Sequence, residues 1–187
     1  MHAANFHEIP ELIQFFVANS DVVRMVSFQM QADTGRGELR KREELITLPT
    51  VRKQIDRGAG TDLAWDTILI GHHECNRYAP TFVVNGKVHN VVPDQQLFND
   101  FLEDFKHVTI DRRDNLFKIA WPFFLIGLRK PSWLLRGLNW ALAHAWRAKA
   151  DLLKSGGEFH KLSFFIHNFM DADNLVCERI DTCSFMV

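Results

Sequence analysis

The chain has 187 residues, 47% of them hydrophobic and 24% charged, and a net charge of −1. That is a globular composition, long enough for one domain with a core of its own, and its charge excludes a chain that binds nucleic acid through overall basicity. Its three cysteines, Cys75, Cys177 and Cys183, are few and odd in number, which argues against a disulfide framework and fits a reducing, cytoplasmic compartment. The opening MHAANFHEIPEL has neither the basic nor the long apolar part of a signal peptide. The longest apolar run, residues 119–128, is interrupted by Pro122 and falls short of the ~18 residues that suggest a membrane span.

In chain order, Phe6, Ile9, Leu12, Ile13, Phe16 and Val17 recur at helical spacing and predict a helix over 7–19. DVVRMVSFQM, rich in β-branched and aromatic residues, predicts a strand, followed by the loop QADTGRGELRK. LPTVRKQIDRG predicts a short helix with Thr47 as N-cap and Gly58 as C-cap. DLAWDTILIGHH reads as a strand or buried segment. TFVVNGKVHNVVP is a hairpin around Asn85-Gly86, the pair that type I′ turns favour. PDQQLFNDFLEDFKHV predicts a helix capped by Asp94, with Leu97, Phe98, Phe101, Leu102 and Phe105 on its core face.

Residues 115–150 differ in character. They hold Lys118, Arg129, Lys130, Arg136, Arg147 and Lys149, no acid, and four of the five tryptophans, Trp121, Trp133, Trp140 and Trp146. Trp133, Leu134, Leu138, Trp140 and Leu142 share one broad helical face, which a core helix pair with a basic rim would use. The same pattern suits a surface for lipid or another large apolar substrate, peripheral at a membrane. After Gly156-Gly157, KLSFFIHN reads as a strand or helix end. A turn and a short helix then follow, with a final strand around Cys183. Both ends suggest a chain cut from something longer. A helix pattern starts almost at once, and CSFMV is an apolar run without a polar tail.

The chemistry-bearing cluster is GHHECNRYAP, residues 71–80. Cys75 with His72 or His73 offers zinc ligands, or a nucleophile with its base. On a strand, however, adjacent side chains point to opposite faces, so both histidines ligate only where the strand has ended. The plain alternative is a cysteine packed as a small hydrophobe. Cys183 and Cys177 carry the same alternative. Arg36, after Gly35 in the loop behind the second predicted element, is placed to hold a carboxylate or phosphate. Asn168 and Asp171 in HNFMDA read as helix caps.

Three stretches, FQMQADTGR, GHHECNRYAPTFVVNGKVHNVVP and FFIHNFMDADNLVCERIDTCSFM, together resemble the C-terminal half of radical S-adenosylmethionine enzymes. The most similar group is that of the archaeal dihydropterin methylase and tetraether lipid synthase. The first is similar to an FQP…TGR-like loop, the second to an HPDC-like motif and hairpin, the third to HxFMDAxxxDxERxxxC. The resemblance implies an α/β fold: the last part of a partial (β/α) barrel over 1–60, then a cluster-bearing α+β extension over 61–187. It implies Gln29, Thr34, Gly35 and Arg36 as cofactor-binding positions, and Cys75 and Cys183 as thiolate ligands of an auxiliary [4Fe-4S] cluster. His73 and Glu74 stand where the family has Pro and Asp. The family's CxxxCxxC loop, which serves S-adenosylmethionine cleavage, and its PFCxYN-like segment have no counterpart in this sequence. The resemblance therefore implies a fragment or subunit that is inactive alone. S-adenosylmethionine would bind only with a partner chain supplying the CxxxCxxC half. The alternatives are a non-catalytic scaffold subunit completing a split barrel, and a small Cys/His zinc protein.

Overall fold

The computed structural model describes residues 3–30, 32, 46–68, 72–91, 95–109, 115–170 and 175–181. In chain order the elements are α1 (Ala3–Phe6), α2 (Ile9–Ala18), β1 (Met25–Met30), α3 (Leu48–Ala59), β2 (Asn76–Val84), β3 (Lys87–Asn90), α4 (Gln95–Phe105), α5 (Leu116–Arg129), α6 (Pro131–Arg147), α7 (Lys149–Lys154), β4 (His160–Asn168) and α8 (Cys177–Asp181). They fall into two compact units, Met1–Val92 with Ala150–Val187, and Pro93–Lys149. The boundary expected after residue 60 lies inside the first unit, where strands from both sides of it join one sheet.

That sheet is mixed, so the chain is α/β. The strand order is β1-β4-β2-β3, with β1 and β4 parallel and the other pairs antiparallel. Alternation along β1 sets its two faces: Val26, Phe28 and Met30 are buried while Met25, Ser27 and Gln29 are exposed. The buried row joins Phe164 and Ile166 of β4 in one cluster with Ile9 and Ile13 of α2 and Val51 and Ile55 of α3. Helices α2 and α3 thus cover one face of the sheet.

Local chemistry fixes the ends of α3. Thr47 Oγ1 accepts from the Thr50 amide at 3.3 Å, and the Thr47 amide donates to Thr50 Oγ1 at 2.9 Å, a reciprocal cap. The expected C-cap Gly58 is instead an interior helical residue. A Cβ there would stand 2.6 Å from the Pro10 carbonyl oxygen, so this glycine sets how closely α2 and α3 approach. The helix ends at Gly60, with φ +71°. The hairpin is as expected: Asn85 and Gly86 have φ 50° and 71° between β2 and β3.

The segment after residue 61, expected as a strand or a buried segment, makes only an isolated bridge, Ile68 to Tyr78, among the described residues, and it buries Leu63 and Trp65. It is anchored otherwise. Trp65 is buried and donates through Nε1 to Asp56 at 2.9 Å, while the Leu63 amide donates to the same carboxylate at 3.1 Å. Burial holds the Asp56 carboxyl above its ordinary range despite both bonds.

The second unit is helical. Asn115 caps α5, accepting from the Lys118 amide at 2.8 Å. Phe101 and Phe105 of α4 lie against Phe123 of α5 and Trp133 of α6, with ring centroids 4.6–6.3 Å apart. Lys130 and Arg136 pair with Asp104 and Asp100 at 2.5 and 2.7 Å. The expected cap Asp94 lies outside the described residues. Of the expected α4 core face, Phe105 is buried but Leu102 is exposed. The broad α6 face also divides: Trp133 and Trp140 are half-buried, whereas Leu134, Leu138 and Leu142 are exposed. No helix among the described residues is long and apolar enough to cross a membrane.

Candidate functional site

The parallel pairing of β1 and β4 brings their carboxyl ends side by side, and β2 starts at the same end. Gln29 pairs with His167, and His167 with Asn76, in one row across three strands. One step further, the Asn168 amide donates to the Cys75 carbonyl at 2.7 Å. Each of the three stretches singled out in the sequence therefore reaches this edge of the sheet. The carboxyl ends of strands are where open α/β sheets and barrels carry their reactive groups, because the loops leaving them are free to vary.

Cys75 closes a turn rather than lying on a strand. Its amide donates to the His72 carbonyl at 3.0 Å, and the Glu74 amide lies 3.2 Å from His72 Nδ1. With the chain turning here, the alternation that would part His72 and His73 does not operate, and their rings stand 4.5 Å apart.

Arg179, on α8, holds this turn to the end of β4. Its Nη2 donates to the Asn168 carbonyl at 2.7 Å and reaches the Glu74 carbonyl at 3.5 Å, and its Nε donates to Cys75 Sγ at 3.3 Å. The Asn168 side chain, expected to cap a helix, donates to the same Glu74 carbonyl at 2.8 Å. Arg179 is 8% exposed, and among the described residues no carboxylate pairs with it.

On the sheet face opposite α2 and α3, Tyr78 Oη lies 3.2 Å from Ser163 Oγ. The Tyr78, Phe165, His167 and Phe169 rings follow one another at 6.0, 4.2 and 5.6 Å. Burial among them holds the His167 imidazole below its ordinary value, favouring the neutral ring.

Of the expected cofactor-binding residues, Gln29 lies in this row, exposed at the end of β1. Thr34, Gly35 and Arg36 lie outside the described residues, as does Cys183. Cys177, read as structural, begins α8 and is exposed. Among the described residues no group of three or more His, Cys, Asp or Glu side chains comes together to hold a metal ion. Thiolates are what an iron–sulfur cluster requires, and Cys75, with an N–H donor on its sulfur, suits that role; outer-shell donors of this kind orient and tune ligands.

The chain matches no protein-family model, and no curated protein is similar to it at a significant level. Sequence reasoning missed Arg179. Its signal was present as the basic residue of the ERxxxC run, two positions after Cys177, but its partner Cys75 lies 104 residues away.

Proposed function

We propose that the chain is the C-terminal part, or a subunit, of a radical S-adenosylmethionine iron–sulfur enzyme. Its first unit would be the last portion of a partial (β/α) barrel with a cluster-bearing extension. Cys75 and Cys183 would ligate an auxiliary [4Fe-4S] cluster, which would supply electron transfer or an iron site for substrate. The observation that carries the reading is the buried Arg179 donating to Cys75 Sγ, which ties together two of the three stretches that bear the resemblance.

The chain's own residues have separable tasks in this proposal. Arg179 and Asn168 fix the 72–75 turn and so aim the Cys75 sulfur. Gln29, His167 and Tyr78 lie on the sheet face free of α2 and α3, the side a barrel turns toward its substrate. Among the described residues β1 pairs on one side only. Beside it lies a groove of about 600 Å³ lined by Leu12, Phe15, Phe16 and Phe28. A further parallel strand from the CxxxCxxC half would add there.

Anaerobic reconstitution of the chain with iron and sulfide tests the proposal. The expected result is bound iron and acid-labile sulfide with visible charge-transfer absorption, lost in Cys75→Ala and in Cys183→Ala. Arg179→Gln should keep the metal but shift its reduction potential. Zinc without iron or sulfide would overturn the reading, as would clusters indifferent to both cysteines. Reductive cleavage of S-adenosylmethionine by the chain alone would overturn its description as the non-cleaving part.

A further inference from the structure

The second unit carries more apolar surface than its own packing uses. On α5, Phe117, Trp121, Phe124, Leu125 and Leu128 recur at helical spacing and are all exposed; Phe117 is 73% exposed. On α6, Leu135, Leu138, Leu142 and Trp146 do the same, and Leu135 and Trp146 reach 69% and 70%. The inner faces of both helices are apolar too, since Phe123 and Trp133 pack on α4. The two outer stripes therefore point away from α4. A helix of a water-facing bundle should be polar on that side.

Cations accompany the stripes. Lys118 and Arg129 fall beside the α5 stripe at helical spacing. Arg147 and Lys149 follow Trp146, and the Lys149 ammonium sits 3.6 Å over the Trp146 ring. Residues 115–150 contain no acid, and of their six lysines and arginines Lys130 and Arg136 pair with Asp104 and Asp100 of α4, so Lys118, Arg129, Arg147 and Lys149 are the cations that accompany the stripes. A second copy meeting this face would set like charges against like. A bilayer with anionic headgroups complements both features. It offers hydrocarbon to the leucines, an interface to tryptophan, and negative charge to the cations. Length decides the orientation: α5 has 14 residues, about 21 Å of helix, against a hydrocarbon core of about 30 Å. Such a helix lies in the surface and does not span.

We infer that α5 and α6 form a docking hairpin for anionic membrane, laying the Phe117–Leu128 and Leu135–Trp146 stripes into one leaflet. The full chain should float with vesicles of phosphatidylcholine mixed with phosphatidylglycerol, and far less with phosphatidylcholine alone. Binding should weaken with salt. Arg129→Gln and Arg147→Gln should each lower affinity about fivefold, and Leu135→Glu with Leu142→Glu should abolish flotation. On the unaltered chain, tryptophan emission should shift to the blue on vesicles and be quenched by brominated lipid, a readout that needs no variant. Failure to float at low salt, or flotation without quenching, overturns the inference. So does vesicle-free dimerisation abolished by Leu135→Glu with Leu142→Glu, which would assign the face to a second copy. None of these measurements reads iron, so their outcome is separate from that of the cluster proposal.

Discussion

The two units dispose of apolar surface in different ways. In the first, the sheet face beneath α2 and α3 is covered by the chain itself: Phe164 in β4 is fully buried in one cluster with Ile13, Val51 and Ile55. In the second, α5 and α6 are apolar on two sides and only one is packed. Alternation of polar and apolar residues belongs to an element whose surroundings are water on one side and protein on the other. Its loss marks an element prepared for a different neighbour.

The largest expected contrast comes from truncating one apolar side chain in each unit. Phe164→Ala should destabilise the first unit by about 3–5 kcal/mol in denaturant unfolding, because it leaves a cavity. Leu135→Ala should stay within about 0.5 kcal/mol, because solvent already reaches it. Equal losses would end the distinction between the units. Gly58→Ala comes next. The gain in helix propensity is under about 1 kcal/mol. It is outweighed by a methyl group 2.6 Å from the Pro10 carbonyl oxygen, and a net loss of about 1–3 kcal/mol should appear as a lower midpoint. Arg179→Ala leaves the half-buried Asn168 carbonyl without this donor. It should cost about 1–3 kcal/mol, with Arg179→Lys recovering part of it.

The smallest effect is in pH. The folded value of His167 is held below the ordinary 6.5. Under mild acid the unfolded chain takes up a proton that the folded chain refuses. Stability is therefore full above about pH 6.5 and falls as pH drops below it. Lys87 holds the Asp151 carboxyl below its ordinary value, so its contribution is lost only at lower pH, beneath the carboxylate range. Thermal midpoints between pH 8 and 5 should decline, and His167→Gln should flatten that decline.

What was legible in the sequence was local. The Asn85-Gly86 hairpin and the Thr47 cap could be read because the groups that decide them lie within a few residues. Gly58 and Gly60 show the limit. Both are glycines near a helix end, but one is there for a left-handed turn and the other for the approach of α2, which periodicity does not encode. Leu138 and Leu142 show it again: helical spacing put them on a face with Trp133, and packing then used only part of that face. At the candidate site, Cys75 was legible as a residue type. Arg179 at its sulfur follows from β4 pairing between β1 and β2, a long-range event.

That pairing also governs when the sheet can exist. Strand β4 is the sole described link between β1 and the β2–β3 hairpin, and it begins 130 residues after Met30 (160 − 30). At a synthesis rate of about 5–20 residues per second, roughly 7–26 s pass before β1 meets its partner. Throughout that interval β1 lacks its β4 partner, and before the interval ends the apolar α5–α6 segment has been made as well. The yield of folded chain should therefore depend on elongation speed more steeply than its final stability would suggest.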